Sequence, residues 1–191
     1  VYNIRKRESM VFLRNLLYRL RGEVSTDSLI KLGLKVGKNF RRNEHCIIDQ
    51  SHCWLIEIGD DVTLAPRVHI LAHDASMWQK CGYTKIAPVH IGNNVFIGAG
   101  SIIMPGITIG NNSIIGAGSI VTHDVDEGSV VAGNPARKLK DYHDFINENK
   151  EYMKSKPCYG EEYTLRNSSF TEVQKQEQKE AVEENDFGYV R

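Results

Sequence analysis

Among the seven histidines of this 191-residue chain, His73 is the one whose position suggests chemistry. It stands in Ala72-His73-Asp74, where a regular spacing of aliphatic residues breaks and a long excursion begins. An imidazole titrates near neutral pH and is suited to taking a proton from a hydroxyl or an amine. Taken alone, a single histidine reads more often as a hydrogen-bonded or surface residue. A base also needs its second ring nitrogen held, and Asp49 and Glu57 are the carboxylates that could hold it. Cys46, Cys53, Cys81 and Cys158 form no Cys-x-x-Cys pair and no zinc-like spacing, so they read as reduced thiols in a cytoplasmic protein. Arg137 and Lys140 form a small basic cluster that by itself reads as a solvated cap.

The element that must position these residues is the stretch from Ile91 to Val121. Aliphatic residues recur every sixth position at Ile91, Ile97, Ile103, Ile109, Ile115 and Val121, and glycine follows four of them. Ile91–Met104 and Ile109–Thr122 agree at ten of fourteen positions when shifted by eighteen. A period of six is neither a helix nor a plain alternating strand. With recurrent glycine it marks a parallel β-helix in which three hexapeptides close one coil. The aliphatic residue points inward, Gly or Asn takes the corner, and the fifth position stays compact (Val95, Ser101, Ser113, Ser119). Asn93 then stacks on Asn111, Asn94 on Asn112 and Ile97 on Ile115, about 4.8 Å apart. Ile70 to Ile91 spans twenty-one positions where six would continue the pattern. About fifteen residues, 76–90, are therefore expected to leave as a loop, and Trp78 and Tyr83 within it suit a lid or a wall for a sugar ring.

The run IGNNVFIGAG, IMPGITIGNNSIIGAGSIVTHDV and GSVVAGNPARKL is similar to the hexapeptide-repeat acyltransferases. It comes nearest to their galactoside, maltose and surface-polysaccharide O-acetyltransferase branch. The resemblance covers about Val36 to Lys140. It implies a left-handed winding, acetyl-CoA as co-substrate without a metal, and a trimer with each site shared between neighbours. Spacing does not reveal the hand. The resemblance makes His73 the catalytic base, although many relatives have His-Pro where this chain has His-Asp. It assigns the oxyanion donor to the backbone of Ala99 and lays the pantetheine arm along Ala99, Ala117 and Thr122-His123. Arg137 and Lys140 then meet the nucleotide phosphates, with His123 where Lys is often found. On the acceptor side it suggests Asn43 and Asp49, joined by Trp78 and Tyr83.

The remaining residues divide the chain into an N-terminal helical segment (1–35), the β-helix (36–137) and a C-terminal helix with a polar tail (138–191). The fold class is all-β with terminal helices. Val1 to Arg21 reads as a basic amphipathic helix that packs on the solenoid or a neighbour, with contact to an anionic membrane surface as the second reading. Ser25 to Leu34 reads as a short helix capped by Ser25 or Thr26 and ending near Gly33. Asp141 to Lys156 reads as a helix, and Thr171 to Arg191 as a solvated helix or a disordered tail. The 24 acidic and 24 basic groups cancel, which argues against a nucleic-acid partner. No apolar run approaches the ~20 residues of a bilayer span, and no signal peptide is visible.

The activity expected is acetyl transfer to a sugar hydroxyl, with N-acetylation of an amino sugar as the neighbouring alternative. Two other classes use such a solenoid. A zinc carbonic-anhydrase-like protein would require three converging histidines, for which His69, His73 and His90 are the candidates. A non-catalytic scaffold would not bind acetyl-CoA.

Overall fold

The computed structural model describes residues 23–191, so the basic helix expected over Val1–Arg21 lies outside the described residues. The first element is α1 (Thr26–Lys31), whose N-cap Ser25 accepts a hydrogen bond from the Ser28 N–H. Gly33 follows it at φ 110°, a conformation open to a residue without Cβ. Leu29 and Leu34, almost fully buried, join this segment to the main core.

The chain then visits three parallel sheets in rotation. Strands β1 (Lys35–Val36), β2 (Arg41–Arg42) and β3 (Ile47–Ile48) open them, and β4 (Ile56–Ile58), β5 (Thr63–Leu64) and β6 (His69–Ile70) extend each in turn. An excursion follows, made of β7 (His73–Asp74), the short helix α2 (Trp78–Cys81) and β8 (Lys85–Ile86). The rotation then resumes with β9 (Val89–Ile91), β10 (Phe96–Ile97) and β11 (Ile102–Ile103), followed by β12 (Thr108–Ile109), β13 (Ile114–Ile115) and β14 (Ile120–Val121). The first sheet is thus β1-β4-β9-β12, and the third is β3-β6-β11-β14. The second, β2-β5-β10-β13, continues into β15 (Ser129–Gly133) and the antiparallel β16 (Ala136–Asp141).

Registers carry the eighteen-residue repeat: Ile97 pairs with Ile115, Ile103 with Val121 and Ile91 with Ile109. In the two-residue strands β3, β5, β6 and β10 to β14 the second residue points inward, and β4 and β9 each bury their first and last. Ile58, Leu64, Ile70, Ile97, Ile103 and Ile115 are at most 4% exposed. Each such side chain contributes about 1.5–3 kcal/mol of burial. Ser101, Ser113 and Ser119 are fully buried in the compact position, and Ser119 Oγ returns a hydrogen bond to the Gly116 carbonyl at 2.6 Å.

The asparagine corners stack as expected. Asn94 and Asn112 both sit at φ 53°, and the Asn94 side-chain amide donates to Asn112 Oδ1 at 2.8 Å. The Asn93 N–H donates to Asn111 Oδ1 at 2.8 Å. Gly98 follows an inward residue for a different reason. A Cβ there would lie 2.5 Å from the Ala117 nitrogen on the next coil, so bare backbone is needed for the coils to approach.

Two insertions interrupt the count, and both occur where the chain passes from the third sheet to the first. Ile48 to Ile58 takes ten positions instead of six, and Ile70 to Ile91 takes twenty-one. The larger excursion departs at His73 and returns by Val89, rather than spanning 76–90. Its base is the antiparallel pairing of His73 with Ile86 and of Asp74 with Lys85, and Val89 already pairs with Ile56.

Residues 143–191 form a second compact unit. The C-terminal helix appears as α3 (Tyr142–Tyr152), which begins at the boundary. The Thr171–Arg191 segment, read as a solvated helix or a disordered tail, is helical over most of its length. Helix α4 (Glu172–Asn185) opens with a reciprocal Thr171–Gln174 capping box, and Tyr189–Val190 pairs in parallel with Cys158–Tyr159. Phe187 lies edge-on to both Tyr152 and Tyr189, Lys156 Nζ sits 4.9 Å from the Phe187 ring centre, and Tyr189 Oη reaches Asn149 Oδ1 at 3.0 Å. This small aromatic cluster, spread thinly over the sequence, holds the end of the chain.

Candidate active site

The edge between the third and first sheets collects the chemically capable side chains. Asp49 directly follows β3, His73 opens β7 three residues past β6 on the next coil, and Asp49 Oδ2 lies 2.5 Å from His73 Nδ1. The Asp49 side chain is 1% exposed and that of His73 is 35% exposed. Asp49 also accepts from the Ala72 N–H at 2.9 Å and the Ser51 N–H at 3.0 Å. Burial pushes its pKa upward, but hydrogen bonds from Ala72, His73 and Ser51, with the nearby imidazole, outweigh this and hold the carboxyl below its ordinary 3.8. An ionised carboxylate can only accept, so Nδ1 carries a proton, and the neutral form of the ring has its lone pair on Nε2.

Asp49 is therefore the group that holds His73, and it is too enclosed to form a wall for an acceptor. Glu57, the other carboxylate considered, pairs with Lys35 and lies 3.6 Å from His90 Nδ1 on the outward side of the first sheet. His52 and Trp54, which the sequence does not single out, join the same edge. The His52 ring centre is 5.3 Å from that of His73 and 5.3 Å from that of Trp54. Both lie in the ten-residue step from Ile48 to Ile58, and that surplus of four positions was the available signal. Trp78 and Tyr83 stand on the excursion, 57% and 75% exposed.

The other expected residues occupy different places. Ala99 and Ala117 are exposed at the edge between the second and third sheets, where the Gly118 N–H donates to the Ala99 carbonyl at 2.8 Å. Asn43 belongs to that edge as well, its side-chain amide donating to the Leu64 carbonyl at 2.8 Å. Within one chain it does not share an edge with His73, Trp78 and Tyr83. Thr122 and His123 leave β14 on the His73 edge two coils further on, with Thr122 Oγ1 2.9 Å from His123 Nδ1. Arg137 and His123 line one cavity of about 320 Å³ with Asp124, Asp126, Ser129 and Lys138. Lys140 is on β16 opposite Val130 and Lys138 pairs with Asp141 at 2.7 Å.

The three histidines considered for zinc do not converge within the chain. His69 is on the third sheet, His90 is on the first, and the cluster capable of holding a metal among the described residues is Asp49, His52 and His73.

A coil of stacked hexapeptides with a histidine–carboxylate pair at the mouth of an inserted hairpin defines a class, the hexapeptide-repeat transferases. A hexapeptide repeat of succinyl-transferase matches residues 88–123. Protein CapG of Staphylococcus aureus is 44% identical over 146 residues, covering 71% of this chain and 83% of that protein. Nodulation protein L of Rhizobium meliloti (strain 1021) is 40% identical, covering 61% and 68%. Among solved structures, a maltose O-acetyltransferase from Clostridium difficile 630 superposes with a TM-score of 0.52 at 46% identity over 57% of this chain and 59% of that one. A galactoside acetyltransferase in complex with coenzyme A gives 0.55 at 38% identity over 60% and 58%. The chain belongs to the hexapeptide-repeat acetyltransferase family. It spans just under six tenths of those two solved relatives.

Proposed function

We propose that the chain winds left-handed, as its family does, and transfers an acetyl group from acetyl-CoA to a sugar hydroxyl with His73 as general base. The observation that carries this reading is the buried Asp49 carboxylate at 2.5 Å from His73 Nδ1, which leaves Nε2 as the proton acceptor. In the reaction, Nε2 takes the hydroxyl proton as the oxygen attacks the thioester carbonyl. The charge that develops on the carbonyl oxygen is met by the Ala99 N–H. The carbon–sulfur bond then breaks, and the imidazolium returns its proton to the departing thiolate. Both substrates must be held in place for this to be fast. The pantetheine arm runs past Ala99, Ala117 and Thr122-His123, and the phosphates meet Arg137 and Lys140.

His73 and Ala99 lie on different edges of one chain, so this mechanism needs a second copy to bring its Ala99 edge to the His73 edge. The outward residues support such an assembly. The first sheet presents Lys35, Glu57, His90 and Thr108, whereas the third presents Ile47, Ile102 and Ile120 beside His69, and the second presents Phe96 and Ile114 beside Arg41 and Thr63. Two outer faces that carry exposed apolar side chains and one that carries only polar ones suit a closed trimer in which the first sheet faces water. Four free cysteines are consistent with a reducing, cytoplasmic setting, and no helix among the described residues is long and apolar enough to cross a membrane.

The test is calorimetric titration with acetyl-CoA, followed by thiol release with a panel of sugars and amino sugars and localisation of the acetyl group by NMR. Binding with transfer to a hydroxyl supports the reading. Transfer only to amines would move the acceptor atom, and absence of acetyl-CoA binding would leave a scaffold.

A further inference from the structure

The mechanism above leaves His52 without a task. Its Nδ1 is buried and has no hydrogen-bond partner, although the ring lies within 5.3 Å of the His73 ring. An imidazole nitrogen shut away from water without a partner is costly unless something else meets it. One ligand atom each from Asp49, His52 and His73 lies within 4.8 Å of the other two. Donor atoms around a tetrahedral zinc are about 3.4 Å apart, so small side-chain rotations would bring the three into ligating distance. Two imidazoles and a carboxylate with an open fourth position suit Zn²⁺ far better than Mg²⁺ or Ca²⁺, which favour oxygen ligands.

We propose that Asp49, His52 and His73 form a site for Zn²⁺ or a similar divalent transition-metal ion, and that occupancy switches acyl transfer off. The ion takes a lone pair of His73. If it binds Nε2, that pair is no longer open to a hydroxyl. If it binds Nδ1, it displaces the proton shared with Asp49 and removes the contact that holds the ring. His52 supplies the ligand that converts an ordinary base–carboxylate pair into a metal trap. The binding half of the proposal stands on geometry alone, whereas the inhibitory half rests on His73 being the base.

The intact chain, stripped with a chelator, is titrated with Zn²⁺ by calorimetry and with Co²⁺ by visible absorption. One ion per chain with a tetrahedral Co²⁺ spectrum is expected. His52→Ala and His52→Gln should each weaken Zn²⁺ binding by at least about 10-fold, the loss that even an outer partner of a ligand can cause. Two variants guard against a fold-specific failure of one. A parent that binds no ion, or variants that bind it as tightly as the parent, would overturn the site. Inhibition is read as the ratio of rates with and without Zn²⁺ for the same variant, from acetylated product by mass spectrometry because Zn²⁺ also binds the liberated thiol. The ratio should fall steeply in the parent, recover with chelator, and fall less in both variants. Saturation of the parent without inhibition would remove the switch and count against His73 as base, while the cation site stood.

Discussion

Asp49 and His73 are twenty-four positions apart in sequence and 2.5 Å apart in space, because Asp49 directly follows β3 and His73 lies three residues past β6, the neighbouring strand of the third sheet. The contact joins a carboxylate enclosed by backbone N–H donors to a ring that still reaches solvent. Such a pair fixes the tautomer of the imidazole and stabilises its charged form as a proton arrives.

His73→Ala is expected to lower turnover by about 10²-fold or more while leaving acetyl-CoA affinity nearly unchanged, the pattern of a lost general base. Asp49→Asn should be nearly as damaging. The substituted amide can present its NH₂ to Nδ1, which favours the tautomer that lacks a lone pair on Nδ1's opposite nitrogen. Steady-state kinetics with a fixed acceptor and separate acetyl-CoA titration checks both. Turnover retained in the His73 variant removes it from the mechanism.

The same carboxylate should couple stability to pH. Its folded-state pKa lies below the ordinary 3.8, so the folded chain holds the proton more weakly than the unfolded chain does. The stabilisation is then fully present above about pH 4 and is lost as the pH falls through the folded value. Asp49→Asn should cost about 1–3 kcal/mol at pH 7, as expected for a buried acceptor replaced within its hydrogen-bond set. The gap between parent and variant in thermal unfolding should narrow as the pH is lowered below about 4. A gap that widens in acid contradicts the assignment.

The repeat and its break were legible in the chain, and the site only in part. Ile97, Ile103 and Ile115 reveal their inward direction because an eighteen-residue period has no other economical geometry. His73 was legible because it marks the break. His52 was not, since a four-residue surplus between Ile48 and Ile58 is easily lost among the irregular early strands. The choice between Asp49 and Glu57 depended on which edge each side chain meets, a property of the closed coil and not of local spacing. Asn43 was joined to the acceptor group by resemblance, yet its position in the rotation assigns it to the Ala99 edge. The aromatic contacts of Tyr152, Phe187 and Tyr189 connect residues too far apart in sequence to form a local pattern.

For the donor side, Arg137→Ala is expected to raise the Michaelis constant for acetyl-CoA by about 10-fold with little change in turnover. That is the size of effect for a charged hydrogen bond to a phosphate, about 1.5 kcal/mol. Arg137 shares its cavity with His123, and the effect should shrink as salt is raised if the contact is ionic. Comparison of acetyl-CoA with acetyl-pantetheine, which lacks the nucleotide, checks the assignment. An equal loss with both donors would place Arg137 elsewhere in the reaction.

The corners offer a test of the coil itself, because two neighbouring glycines are present for opposite reasons. At Gly98 an added Cβ would lie 2.5 Å from the Ala117 nitrogen and 2.8 Å from its Cα, both backbone atoms that can yield only by moving the next coil. At Gly100 the space is open, but φ is 70°, so alanine there meets only the intrinsic cost of a left-handed backbone, about 1 kcal/mol. Gly98→Ala should therefore destabilise by several kcal/mol, about 3 or more on the scale of overpacked sites, and Gly100→Ala by about 1. Ala99 lies between them, so Gly98→Ala should also impair transfer in whatever fraction remains folded, while Gly100→Ala changes stability more than rate. Chemical unfolding of the two variants gives the comparison directly. Equal losses would mean that successive coils do not approach as closely at this corner as the Gly98–Ala117 stacking requires.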